Sequence, residues 1–369
     1  MTRKLLTLNG VAVLCVVLYH ATAWGYTAMF WWTDRYWDVS VPNFDRLGNF
    51  SYYGLRFIEQ WVIFAIPAFI FVSGYFIAFA TQREQRTIGW SVILNRVKHL
   101  IIPYLIWSIL ILSARWMEGV RFSPGEYLTT LLLGRAADPY YYIPLLIQLY
   151  LIAPFLVPLV RRHPGRILVV SGFIQLVLLV MRYPQILNVS IPDSKPLAVL
   201  TWSGFFATNI FWFCFGMVAG FHLQKFKDVL ARIKSGLPLA ALIFFVLGIV
   251  EWELLLRLSG QEWLGPKETL IDQLYSAMLV LSFLTYSPLP DAAISRLSDL
   301  GGKSFGIYLV HAPVMEYSAR LVYHFMPALL GFPMGLLALL IALSLTIPML
   351  LMAAVNRTPA RVSYKYIFG

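Results

Sequence analysis

Leu5-Leu6-Thr7-Leu8-Asn9-Gly10-Val11-Ala12-Val13-Leu14-Cys15-Val16-Val17-Leu18-Tyr19-His20 is an almost unbroken aliphatic run. A bilayer core of ~30 Å is crossed by ~20 such residues in a helix, and this run continues to residue 28. It lacks the small-residue cleavage site of a removable leader and reads as a retained span. The same measure, carried outward, finds about ten spans. They lie near residues 5–28, 57–80, 100–116, 141–160, 167–181, 201–223, 237–257, 269–286, 304–326 and 332–355. Composition points the same way. Of 369 residues 59% are hydrophobic and 13% charged, with a mean hydropathy of +0.70, whereas a soluble domain carries roughly 25% charged residues. The expected fold is all-α: a polytopic membrane protein whose residues 1–369 form one transmembrane domain.

The formal net charge of +11 does not imply nucleic acid, because the cations flank spans and follow topology. Arg3, Lys4, Arg83, Arg86, Arg96, Lys98, Arg161, Arg162, Arg166, Lys225, Lys227, Arg232, Lys234, Arg357, Arg361 and Lys365 fall on one side if the N-terminus is inside. The opposite segments are poorer in Lys and Arg, so both termini are expected to be cytoplasmic. Cys15 and Cys214 sit in hydrophobic runs, which supports neither a disulfide framework nor a metal site.

Within the spans, ionisable groups are expensive and usually face a protein interior, a cavity or a reaction path. His20 is the first of them, and imidazole takes and returns a proton near neutral pH. The residues alone leave open whether it is packed against a carbonyl or reactive. At ~1.5 Å per residue His20 lies ~20 Å along its helix, a depth similar to that of Glu59 on the returning span, so a His20–Glu59 pair is expected. Pro67 and Ser73-Gly74 in the second span open the backbone and allow close approach. Glu253 and Arg257, like Glu316 and Arg320, are four apart on one helix face and are expected to pair. Glu251, Asp272 and His311 complete the intramembrane set. Trp31-Trp32-Thr33-Asp34-Arg35-Tyr36-Trp37-Asp38 is either an interfacial belt or a platform for sugar rings, with carboxylates accepting hydroxyl bonds. The basic segment holding Arg86, Arg96, Lys98 and His99 suits lipid headgroups or phosphates. No glycine-rich phosphate loop accompanies it, which argues against nucleotide hydrolysis.

These segments together resemble the acyltransferase 3 family of integral membrane acyltransferases. The carriers are Val16-Val17-Leu18-Tyr19-His20, Phe71-Val72-Ser73-Gly74-Tyr75, Arg96-Val97-Lys98-His99 with Ile102-Pro103-Tyr104-Leu105, Tyr142-Ile143-Pro144-Leu145-Leu146-Ile147-Gln148-Leu149-Tyr150, and Gly302-Lys303-Ser304-Phe305-Gly306-Ile307-Tyr308-Leu309-Val310-His311-Ala312-Pro313. The wording is closest to the branch that modifies exopolysaccharides such as poly-N-acetylglucosamine. The resemblance implies transfer of an acetyl or succinyl group from cytoplasmic acyl-CoA, a co-substrate, to a hydroxyl of a cell-surface or lipid-linked glycan. The setting it implies is the inner membrane of a bacterium, with no cofactor and no metal.

His20 matches the family's essential first-helix histidine. The family's arginine eleven residues earlier, and its acidic residue three before that, are replaced here by Asn9 and Leu6. The paired cytoplasmic arginines map to Arg96 and His99, with Lys98 supplying the second charge. The expected donor site is Arg86, Arg96, Lys98 and His99 with Ser73, Tyr75 and His311; Trp32, Asp34 and Trp37 are the expected acceptor contacts. His20 is then a general base or an acyl carrier, with Glu59 orienting it. The rival class on the residues is transport of a glycan or lipid-linked sugar, which often shows inverted repeats; no such symmetry is visible. A third is a scaffold in a polysaccharide assembly, indifferent to substitution at His20.

Overall fold

The computed structural model describes residues 1–32, 50–81, 85–189, 195–261, 264, 268–286 and 289–369. The first run is α1 (Thr2–Thr27), extended by a π turn at Ala28–Trp32. It is followed by α2 (Phe50–Val62), α3 (Ala65–Ala80), α4 (Trp90–Met117), α5 (Pro124–Leu132), α6 (Tyr142–Arg162) and α7 (Pro164–Val180). The short α8 (Tyr183–Ile186) and α9 (Lys195–Leu200) lead to α10 (Ile210–Phe221), α11 (Leu223–Ile233) and α12 (Leu237–Ser259). α13 (Leu270–Thr285), α14 (Asp291–Gly302), α15 (Ser304–Phe325), α16 (Pro333–Arg357) and α17 (Tyr364–Ile367) complete the chain. No strand occurs among the described residues.

All ten expected spans are helical, but they are not alike. Seven helical segments among the described residues are long and apolar enough to cross a bilayer: those containing α1, α2–α3, α4, α6, α7, α12 and α16. α10 and α13 are apolar but short, with 12 and 16 residues. α15 has the length, 22 residues, but carries His311, Glu316 and Arg320. Val169 and Phe173 on α7, Leu239 and Val250 on α12 and Leu350 on α16 are exposed. In water so much bare apolar surface would aggregate; facing lipid, it is the expected outer coat of a bundle. This is a multi-pass membrane protein.

Two crossings hold the centre, and both depend on missing side chains. A Cβ on Gly74 of α3 would strike the Phe213 carbonyl of α10, and one on Gly216 of α10 would strike the Phe71 carbonyl of α3. One on Gly220 would stand 2.6 Å from the Ala78 Cβ. α1 and α14 meet in the same way, Gly10 against the Leu297 carbonyl and Gly301 against the Leu6 carbonyl. Lipid tails give no hydrophobic drive between spans, so close backbone packing of this kind holds helices together. Lys4 adds a polar clasp, its Nζ donating to the Leu284 carbonyl at 3.2 Å near the end of α13, where C-terminal carbonyls have no helical partner.

The second span is broken between α2 and α3. Pro67 has no N–H to give the Ile63 carbonyl and its ring crowds that carbonyl, so the chain turns at Ile63 and Phe64 before resuming at Ala65. Irregular backbone at membrane depth is tolerated where it is buried in protein or lines a cavity. Here Val62, Ile63, Ala65 and Ile66 line one.

Gly216→Val should therefore overpack the α3–α10 crossing and lower stability by about 1–3 kcal/mol. Gly125→Ala, where a Cβ meets nothing within 4 Å, should stay within about 0.5 kcal/mol. Unfolding of the detergent-solubilised protein followed by fluorescence checks both; equal behaviour of the two variants would contradict the close-approach account.

Candidate active site

His311 lies on the first half of α15, fully buried. Its Nδ1 is 2.7 Å from the Tyr308 carbonyl oxygen and 3.2 Å from that of Ile307. Carbonyl oxygens only accept, so Nδ1 carries the hydrogen and donates. Nε2 is buried with no partner. A proton there would be a buried, unanswered donor, costing roughly 1–3 kcal/mol, so Nε2 presents its lone pair. The tautomer is thus fixed by the helix backbone.

His20 of α1 faces this ring, with centroids 5.4 Å apart and planes tilted by 45°. No hydrogen bond joins the two rings. His20 is half-buried, and it lines two cavities. One, of about 310 Å³, is walled by Val16, Tyr19, the Pro67 break, Tyr141 and Tyr308. The other, of about 180 Å³, is walled by Trp24, Arg115, Met315 and Glu316. Asp138 and Pro139 line both.

The 3₁₀ turn Asp138–Tyr141 is tied to α15 by two reciprocal bonds: the Tyr308 hydroxyl donates to the Pro139 carbonyl, and the Tyr140 hydroxyl to the Leu309 carbonyl at 2.6 Å. Gly134 lets the chain reach this turn. Its φ of +65° is left-handed, and a Cβ there would meet the Tyr140 carbonyl. The bonds therefore fix Asp138 and Tyr141 against the helix that carries His311.

Beside the smaller cavity Glu316 and Arg320 pair as their spacing predicts, at 2.5 Å. Arg115 stands 3.8 Å from Glu316 and Arg320 2.9 Å from Glu118. The Arg320 guanidinium holds the Glu118 carboxyl below the usual carboxylate range. Trp32 packs on Trp24 at 5.2 Å and on Tyr323 at 4.7 Å, so this expected acceptor contact touches a wall residue of the smaller cavity. Asp34 and Trp37 lie outside the described residues.

Two expected pairs are not formed. Glu59 is buried, but its partner is Arg56 at 3.6 Å, not His20. Depth alone does not place a side chain; rotation about α2 turns Glu59 into a polar group shared with α12 and α13. In that group Arg56 donates to Gln60 Oε1 at 2.7 Å and lies 4.6 Å over Trp252, and Gln60 donates to Asp272 at 2.8 Å. Asp272 meanwhile closes a capping box with Thr269. Glu253 and Arg257 also form no ion pair: Glu253 turns toward Tyr53 of α2, and Arg257 is exposed.

The expected donor residues divide. Arg96 donates to the Phe76 carbonyl at 3.2 Å and lies 5.7 Å over the Tyr150 ring. Lys98 and Arg86 are exposed, and the His99 Nδ1–H is held by the Asn95 carbonyl at 2.7 Å. Ser73 and Tyr75 belong to α3, with Tyr75 buried where α10 crosses. His311 lies on α15 beside His20. Sequence reading passed over Asp138, Tyr141, Arg182, Asn209 and Glu268. A signal for the first two existed in Asp138-Pro139-Tyr140-Tyr141-Tyr142, an acidic residue and a tyrosine run at the mouth of an apolar helix.

A family model for an acyltransferase domain matches residues 7–352. The chain belongs to the acyltransferase 3 family. No curated protein and no solved structure matches it. Membership makes the protein a membrane acyltransferase, and the larger cavity that His20 lines, with the His311 ring packed against His20, gathers the carboxyl groups of Asp138 and Glu268 and the tyrosines Tyr19, Tyr141 and Tyr308.

Removing one member of a buried charge pair typically costs about 3–5 kcal/mol. Arg56→Met should lower stability on that scale, because Glu59 and Asp272 lose their counter-charge. A midpoint of unfolding equal to that of the unsubstituted protein would return Glu59 to candidacy as a group free to serve His20.

Proposed function

We propose that this acyltransferase moves an acetyl or succinyl group from cytoplasmic acyl-CoA to a hydroxyl of a cell-surface or lipid-linked glycan, as an O-acyltransferase of a bacterial plasma membrane. The observation that carries the reading is His20 at a junction of cavities with its ring against His311. An acceptor hydroxyl in the larger cavity gives its proton to His20 as its oxygen attacks the thioester carbonyl. The C–S bond then breaks, and His20 returns the proton to the departing thiolate. A base in this position typically contributes 10²–10⁴-fold.

His311 acts through His20. Its Nε2 lone pair accepts an N–H from the neighbouring ring and so leaves the other His20 nitrogen free to take the substrate proton. The rings are not bonded in the free protein, and catalytic hydrogen bonds often tighten only in the substrate complex. His311 is in this account a positioning residue, not a donor contact.

The donor enters from the N-terminal side of the bundle, the side that the cation distribution makes cytoplasmic. Arg96 and Lys98, with Arg86 and His99 beside them in sequence, meet its phosphates. The outer cavities, flanked by Trp24, Trp32 and Asp138, receive the glycan.

Membranes given radiolabelled acetyl-CoA or succinyl-CoA should place label in glycan, and His20→Ala should lower that transfer by about 10²–10⁴-fold without loss of folded protein. Full activity in that variant removes His20 from the mechanism. His311→Ala should lower kcat with the donor KM unchanged; a raised donor KM with unchanged kcat would make His311 a donor contact instead. Arg96→Gln with Lys98→Gln should raise the donor KM, and an unaltered value would reduce both to topology signals.

A further inference from the structure

The geometry points to a subsite for an uncharged sugar ring at the outer end of the His20 cavity, held by Arg182, Asn209 and Glu268. It deepens the acyl-transfer reading and rests on it for the identity of the sugar as acceptor. Arg182 follows α7 and is 8% exposed. Its Nε donates to the Thr201 carbonyl at 2.9 Å, while Nη2 is buried with no partner. Asn209, 2% exposed, donates through its amide nitrogen to Thr208 at 3.1 Å, and its Oδ1 is likewise buried and unanswered. Leaving such groups unpaired is costly, most of all for a charged one. Two of them, one donor and one acceptor, line a single cavity of about 150 Å³.

A single water, which occupies about 30 Å³ in the liquid, does not fill that space. Glu268 lines it too, with one carboxylate oxygen bonded by Gln273 at 2.7 Å. Arg182 and Glu268 form no ion pair, so the cavity holds a guanidinium and a carboxyl group apart from one another. A phosphate or carboxylate would meet Glu268, and an amine would meet Arg182. Hydroxyl groups donate and accept at once, so a neutral polyhydroxyl ring answers the guanidinium, the amide oxygen and the carboxylate together.

The place of the cavity gives this meaning. Tyr19, Tyr141, Ser203 and Glu268 line both it and the 310 Å³ cavity that His20 also lines. Tyr141 lines both, and an aromatic ring is suited to the apolar side of a sugar. A pyranose seated here directs its linked neighbour, or its own far hydroxyl, toward His20. The subsite thereby selects which hydroxyl of a chain is acylated.

The test is direct binding by the full-length protein in lipid nanodiscs, without acyl-CoA. The probes are three immobilised polymers: a neutral N-acetylated amino-sugar polymer, a neutral glucan and a polyuronate. The expected result is retention by at least one neutral polymer. Arg182→Gln should weaken it at least tenfold, and Ser203→Trp, which fills the cavity from its rim without removing a charge, should do the same. Acetyl-CoA affinity should stay unchanged in both variants, showing that they are folded. Absence of binding to either neutral polymer, binding to the polyuronate alone, competition by inorganic phosphate, or wild-type retention in both variants would overturn the subsite. Retention lost as expected in a protein that transfers no acyl group would uphold the subsite and overturn the acyl-transfer reading instead.

Discussion

The Nδ1–H of His311 is bonded by two carbonyls of its own helix, and the chemistry proposed for this protein depends on that constraint. An imidazole has two nitrogens and, when neutral, one hydrogen. Fixing that hydrogen on the backbone side leaves a lone pair facing the protein interior beside His20. The donor atoms are not arranged by a carboxylate, as in many histidine sites, but by the geometry of α15 itself. That places a rigid element behind the reactive ring.

The rest of the architecture keeps this pair in place and gives it access. The glycine crossing of α1 on α14 sets the position of the helix that carries His20, and the α3–α10 crossing anchors the half-span that follows the Pro67 break. The break opens space at membrane depth and leaves it lined by protein. The tyrosine bonds between the Asp138–Tyr141 turn and α15 close the other side. Arg115 and Glu316 line the smaller cavity, and ion pairs join them to Arg320 and Glu118.

Much of this was legible in the sequence. Aliphatic run length favours a helix whatever its neighbours are, so each of the ten expected segments falls on a helix, and seven helical segments among the described residues are long and apolar enough to cross a bilayer. Pro67 was recognisable as a point of opening because its chemistry is local, and Glu316–Arg320 because the helix repeat brings the two together. Pairings between helices were not legible. Glu59 has the depth of His20, yet a rotation about α2 gives it to Arg56. His311 carried a recognisable motif, but nothing in one dimension says that α15 packs against α1. The Arg182–Asn209–Glu268 group comes from the ends of three helices far apart in the chain, α7, α10 and α13, and neither periodicity nor spacing fixes the distance between them.

The most direct test of the central claim is the protonation state of the two rings. Nitrogen-15 solid-state NMR of histidine-labelled protein in bilayers distinguishes the tautomers, and His20→Gln and His311→Gln variants assign the two signals among the six histidines. The account predicts His311 as a neutral ring with its hydrogen on Nδ1, and a His20 signal that shifts when His311 is replaced. A His311 hydrogen on Nε2, or a His20 signal indifferent to the loss of His311, would contradict it.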